Sequence, residues 1–281
     1  MPYIIAHSSF ALRVGEPLGC CPDPEARAQF ALGSLGPDVY FFDRLPPTPF
    51  IPNKKRHGNK LHGADCGELC RAFLQHADDS VRPYFYGFLT HIALDSTLHP
   101  YICSRYSGHD HTRFEGDIDA ILYARYKNAY DFAHLFQRPA ALDRIDTLLN
   151  DVSRDTVGAI ESGAYARSAK KFFRLFPVLF APGGKRMKVV SGIERVIHRQ
   201  GLLSAMLLAA PRSYFPDPMN DSRTPWRSET FPDTVRTDTV DELFADAEAF
   251  AKKLIEAAQR GDEDTLVSLA AHRTMSKGIL P

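Results

Sequence analysis

Apolar residues recur along this chain at intervals of three and four, the period of a helix buried along one face. Residues 83–106 place Phe85, Phe88, Leu89, Ile92 and Leu98 near that register, and residues 112–130 place Phe114, Ile118, Ile121, Leu122 and Tyr126. Residues 142–162 repeat it with Ile145, Leu148, Leu149, Val152, Val157 and Ile160. Further helices are predicted over 68–76, 185–210 and 240–260, the last stopped by Gly261. Pro100 interrupts the first of these patterns. A residue before proline is driven away from the helical region, so that helix is expected to end near His99. Strand-like character is confined to residues 39–42, an isolated short strand at most. Two proline-bearing connections, 44–59 and 211–233, are long enough to be functional loops. The pattern gives an all-α chain, a single helical domain over 1–281, with a first part (1–130) and a helical remainder (131–281) that holds the 211–233 loop.

Composition narrows the function. With 281 residues, 44% hydrophobic and 24% charged, the chain can bury one sizeable core. Its 34 basic and 34 acidic residues cancel, which removes the bulk electrostatic reason to expect duplex nucleic acid as a partner. Five cysteines, at 20, 21, 66, 70 and 103, are too few and of the wrong parity for a disulfide framework. The first residues show no leader pattern and no apolar stretch reaches bilayer length, so a cytoplasmic protein is expected.

The chemistry lies in two polar ladders. His91, Asp95 and His99 stand four residues apart, so each step turns about 40° past a full turn and all three share one helical face. A buried face of two imidazoles and a carboxylate needs partners, and cations supply them. His91 and His99 are two turns apart, roughly 12 Å, so they are expected to serve different ions with Asp95 between them. His111 and Glu115 repeat the spacing, as do Glu115 and Asp119. Nitrogen and oxygen donors together suit zinc, with manganese or iron as alternatives. His7, Asp38 and His62 are the further candidates, with His57 and His109 as competitors. The plain alternative is a helix-face ion-pair network. Cys66 and Cys70, four apart, are expected in the core. The basic run 54–57 is expected to be a solvated loop, and the aromatics Tyr40, Phe41, Phe42 and Trp226 mostly core.

In this order, the strings Gly-Ser-Leu-Gly-Pro-Asp at 33–38, Tyr-Gly-Phe-Leu-Thr-His-Ile-Ala-Leu-Asp-Ser-Thr-Leu-His-Pro-Tyr-Ile at 86–102 and His-Thr-Arg-Phe-Glu at 111–115 resemble the bacterial zinc-dependent phospholipase C family, which shares its fold with single-strand nucleases. The resemblance covers roughly residues 1–130. It implies an all-α fold with long loops around a cluster of two or three zinc ions. One ion would be held by Asp38, His62, His91 and Asp95, a second by His99, His111 and Glu115. A third would use His7, a bridging Asp95 and the N-terminal amine.

The function expected on this basis is phosphodiester hydrolysis by metal-activated water, with Asp38 as general base. The alternatives are a nuclease or nucleotidase on the same trinuclear site, and a non-catalytic scaffold with closed metal shells. The expected partner is a phosphodiester substrate, phospholipid included, with no obligate protein partner. Residues 172–180, with Lys170, Lys171 and Arg174 beside them, are a candidate for transient, membrane-peripheral contact, weighed against a buried helix.

Overall fold

The structure, a computed structural model, describes residues 4–44, 56–198 and 203–281. Its α-helices are α1 (Ile4–Gly15), α2 (Pro24–Ser34), α3 (Arg56–His62), α4 (Cys66–His76), α5 (Arg82–Arg105), α6 (Gly108–Tyr126), α7 (Leu142–Thr156), α8 (Ala164–Leu179), α9 (Lys185–Val196), α10 (Val240–Gln259) and α11 (Glu263–Ala270). Two 3-10 segments, Gly36–Arg44 and Ser204–Met206, join them. Among the described residues, β structure is limited to the hairpin of β1 (Arg273–Thr274) and β2 (Gly278–Ile279) and two isolated bridges. The all-α class holds.

Local sequence explains several of the helix boundaries. Asp23 caps α2 by accepting the Ala26 N–H at 2.8 Å, and Pro24 fills the first turn, where a missing N–H costs nothing. Asp65 caps α4 through the N–H groups of Gly67 and Glu68, and its other oxygen takes the His272 N–H at 2.9 Å. Thr239 and Glu242 form a reciprocal capping box at α10. As expected, that helix stops just before Gly261, whose φ is +66°.

The long helix α5 runs through the main core, and its residues Phe88, Leu89, Ile92, Ala93 and Leu94 are fully buried. It crosses α2 with the two backbones almost touching. A Cβ on Gly33 would stand 2.1 Å from the Tyr84 carbonyl oxygen, and one on Gly87 would stand 2.2 Å from that of Phe30. Only two glycines permit this approach, and it brings the end of α2 against His91. Cys66 and Cys70 are buried core residues, and all five cysteines are free.

Several sequence expectations are corrected. Residues 39–42 are not a strand; they lie in the 3-10 segment Gly36–Arg44, with Val39, Tyr40 and Phe42 buried. The helix expected to stop near His99 continues through Pro100 to Arg105. Tyr101 and Ile102 are completely buried, and the Tyr101 hydroxyl donates to the Pro218 carbonyl, so tertiary packing outweighs the break. The helix expected over 112–130 is α6, shifted toward the N-terminus, and the one over 142–162 ends at Thr156 before Gly158, whose φ is +87°. The helix expected over 185–210 ends at Val196. His198 takes a positive φ, and the buried Glu194 carboxylate holds the N–H groups of Leu203 and Ser204, which begins a new turn. Residues 199–202 lie outside the described residues, as do 45–55, which hold most of the first proline-bearing loop and half of the basic run. The end of that loop is helix α3. Residues 172–180 belong mainly to α8, whose Phe172 and Phe176 are buried.

Candidate metal centre

Four elements converge on the middle of α5. Along its polar face, His91, Asp95 and His99 follow the expected ladder, flanked by His7 from α1, Asp38 from the 3-10 segment, His62 from the end of α3, and His111 and Glu115 from α6. All eight predicted side chains are brought together. Gly36 makes room for one of them: its φ is +50°, and a Cβ there would meet the His91 ring at 2.5 Å.

The donors fall into two adjoining nests. The inner one surrounds Asp95. His7 Nε2 is 3.1 Å from one Asp95 oxygen, and His91 Nε2 and His62 Nε2 are 3.2 and 3.5 Å from the other. His62 Nε2 also lies 3.2 Å from Asp38 Oδ1. The rings of His7 and His91 stack at 4.3 Å. The outer nest is His99, His111 and Glu115, with Glu115 Oε1 at 2.9 Å from His111 Nε2 and 3.8 Å from His99 Nε2.

Three rings are aimed by main-chain carbonyls. His62 Nδ1 sits 2.8 Å from the Gly58 oxygen, His91 Nδ1 3.1 Å from that of Ser34, and His99 Nδ1 3.0 Å from that of Ser276. A carbonyl only accepts, so each Nδ1 donates, and once the ring is neutral each Nε2 offers its lone pair to the cluster.

The charges are strongly coupled. Burial disfavours the charged form of His62, but the Asp38 and Asp95 carboxylates outweigh it and push its pKa up to about 10. Burial is likewise overcome at Asp38, where the His62 imidazolium holds the carboxyl down at about 2. At His99, burial is outweighed by Cys103 and the nearby carboxylates, which raise it to about 9. His111 behaves in the same way, raised against burial by Cys103 and Glu115 to about 10. His91 goes the other way, because complete burial lowers its pKa.

These residues fit a group of divalent ions. His91 Nε2 is buried and faces Asp95 without the geometry of a hydrogen bond, as a lone pair awaiting a cation would. Three subsets of donor atoms each lie within 4.8 Å of one another: His7, Asp38 and His91; His62, His91 and Asp95; His99, His111 and Glu115. The donor set is imidazole and carboxylate, the chemistry of zinc. A cavity of about 410 Å³ opens beside both nests, lined by Asp38, Phe41, Asn59, His62, Asp95, His99, Gly108, His111, Glu115 and Ser276.

Several contributions were not foreseen from the sequence, among them that of Asp119, whose spacing continues the ladder from Glu115 but which joins none of the donor subsets. Asp119, one turn beyond Glu115, accepts the N–H groups of Ile5 and Ala6 at 3.1 and 2.9 Å and so fixes the start of α1, just before His7. Its burial raises its pKa to about 7. Ser276 reaches the site from the β1–β2 turn, and Phe41 stacks near His62 at 5.8 Å. The i,i+4 spacing of Cys103 to His99 was a usable signal; its Sγ lies 3.9 Å from His99 Nδ1. Of the competitors, His57 packs near Tyr40 and joins none of the donor subsets, and the His109 side chain lies outside the described residues. The N-terminal amine expected at the third ion also lies outside them. Tyr40, Phe42 and Trp226 are core residues, leaving Phe41 as the aromatic on the cavity wall.

A family model described as zinc dependent phospholipase C matches residues 5–165, more than half of the chain. None of the curated proteins and none of the solved structures matches it.

Proposed function

Because the chain belongs to the zinc-dependent phospholipase C family, we propose that it hydrolyses phosphodiesters with two or three zinc ions, phospholipids being the substrate class. One observation carries this reading: eight imidazole and carboxylate side chains from five elements meet in two adjoining nests, and six of them, Asp38, His62, Asp95, His99, His111 and Glu115, line a single open cavity. Asp38, His62, His91 and Asp95 would hold one ion and His99, His111 and Glu115 a second. His7 and the bridging Asp95 would contribute to a third. Bound zinc supplies positive charge for the phosphoryl oxygens and lowers the pKa of water toward about 7.

The protein's own groups divide the remaining work. Asp38 is ionised at neutral pH and its carboxylate lines the cavity, so it is the group placed to take a proton from the attacking water. Asp95 spans the inner nest with both oxygens and sets the spacing of its imidazoles. A closed structural shell has no use for a cavity of this size, which favours catalysis over a metal-stabilised scaffold. A nuclease or nucleotidase is the second reading, because Phe41 on the wall can stack a base.

Elemental analysis of protein purified without added metal tests the reading, with two or more zinc equivalents per chain expected. Assays on phosphatidylcholine and single-stranded DNA separate the substrates. A metal-free, folded protein that cleaves neither would end both hydrolase readings.

A further inference from the structure

The described residues expose ten large hydrophobic side chains, and six of them belong to one stretch: Val178, Val189, Ile193, Val196, Ile197 and Leu203. Four lie on or at the end of α9. At 100° per residue, Val189, Ile193 and Val196 fall within about 60° of one another, on the face opposite the buried Met187 and Glu194. Val189 is 63% exposed, Ile193 54% and Val196 78%. This apolar ridge points away from the protein. A soluble helix buries such a ridge; here the buried side carries a glutamate instead.

The outward charge of α9 is of one sign. Lys185, Arg186, Lys188 and Arg195 are the basic residues of α9, and its single acid, Glu194, is turned inward to the Ser204 hydroxyl and the N–H groups of Leu203 and Ser204. Arg186 is spent at the end of α8, where it donates to the carbonyls of Pro177, Val178 and Phe180. No acidic side chain of α9 faces outward with Lys185, Lys188 and Arg195.

The ridge is also fastened to the metal-bearing part of the fold. The Ser204 hydroxyl, which Glu194 holds at 2.7 Å, is 2.9 Å from the Tyr214 hydroxyl. The Tyr214 ring in turn lies under the Arg113 guanidinium at 5.6 Å. Arg113 stands on α6 midway between His111 and Glu115. The helix is therefore an outlying platform tied by a short polar chain to the element that carries the outer nest.

We propose that the exposed face of α9 docks on an anionic lipid surface, with Val189, Ile193 and Val196 entering the acyl boundary and Lys185, Lys188 and Arg195 at headgroup level. An apolar stripe edged only by cations is the complement of such a surface. A protein partner would require complementary acids, and a second copy of this chain would bring like charges together. The face lies outside the matched residues 5–165, so the inference does not rest on family membership. It does not rest on hydrolysis either, since the comparison of anionic with neutral vesicles reads a surface that the donor nests do not share.

Flotation of the intact protein with vesicles tests it. Phosphatidylcholine vesicles containing phosphatidylglycerol should carry the protein up, pure phosphatidylcholine vesicles much less, and added salt should weaken the capture. The triple variant Val189→Ser, Ile193→Ser, Val196→Ser should lose roughly tenfold or more in partitioning with its unfolding temperature unchanged, because these side chains are exposed. Lys188→Ala should lose about fivefold. Absence of wild-type capture by the anionic vesicles, or equal capture of the triple variant, overturns the proposal. So does a wild-type dimer in solution that the triple variant disperses, which would assign the face to a second copy of this chain.

Discussion

The two donor nests use the same residue types and differ in burial. Around Asp95, the His7 and His91 side chains are 1% and 0% exposed, while His62 and Asp38, at 10% and 20%, turn toward the cavity, and the Asp95 carboxylate reaches three imidazoles. Around Glu115, the His99 and His111 side chains are 21% and 19% exposed and line the cavity. An ion beside His7 and His91 would be held at the edge of the core, where polar groups without partners are costly. One in the outer nest would sit where solvent and substrate arrive. Burial thus grades the same chemistry, deepest at His7 and His91 and shallowest at Asp38, His99 and His111.

Asp95→Ala gives the largest test of this division. It leaves three buried imidazoles without their shared carboxylate, and a loss of about 3–5 kcal/mol is expected. Inner metal and activity should disappear with it. Thermal unfolding and elemental analysis measure both, and a variant with wild-type metal content and activity would show that Asp95 is not the organising group.

Asp119→Ala should come next. Two N–H groups at the start of α1 lose their acceptor, each costing about 1–3 kcal/mol if left unpaired. Loosening this end should reduce metal at the His7 position while the outer nest stays loaded. Equal loss from both nests would show that α1 does not serve the inner one alone.

His111→Ala is expected to do the converse. One zinc equivalent should leave, phosphodiesterase activity should fall, and stability should change by less than about 1 kcal/mol, since the pair with Glu115 is partly solvated. A cooperative collapse of all metal content would merge the two nests into one.

The smallest effect is in pH. Zinc takes neutral imidazole, so protons must leave as it binds. In the outer nest both His99 and His111 have raised values, about 9 and about 10, and are charged at neutral pH. In the inner nest His62 is charged, but His91, lowered by burial, is already neutral. Affinity should therefore rise with pH at both nests and more steeply at the outer one, which is emptied first on acidification. Zinc content after dialysis across a pH series checks the order of release.

Much of this site was legible in the chain because the ladder of His91, Asp95 and His99 and the pair of His111 and Glu115 are local patterns, fixed once a helix forms. What escaped was non-local. Nothing near Asp119 in sequence announces that its partners are the N–H groups of Ile5 and Ala6, more than a hundred residues earlier. Ser276 contributes a carbonyl, which every residue type possesses, so its side chain carries no signal. The break assigned at Pro100 failed for a related reason: the burial of Tyr101 and Ile102 is a property of their neighbours. Residues 39–42 deceived because a run of Val, Tyr and Phe looks the same whether a sheet or a helical core will cover it.

The carbonyls of Gly58, Ser34 and Ser276 behind three of the imidazoles have a genetic consequence. No single codon change can delete a peptide oxygen. An alanine scan would pass over the supports that orient these rings and report only the rings themselves. Their influence would emerge only where a replacement bends the chain, as any side chain at Gly36 would by driving into the His91 ring.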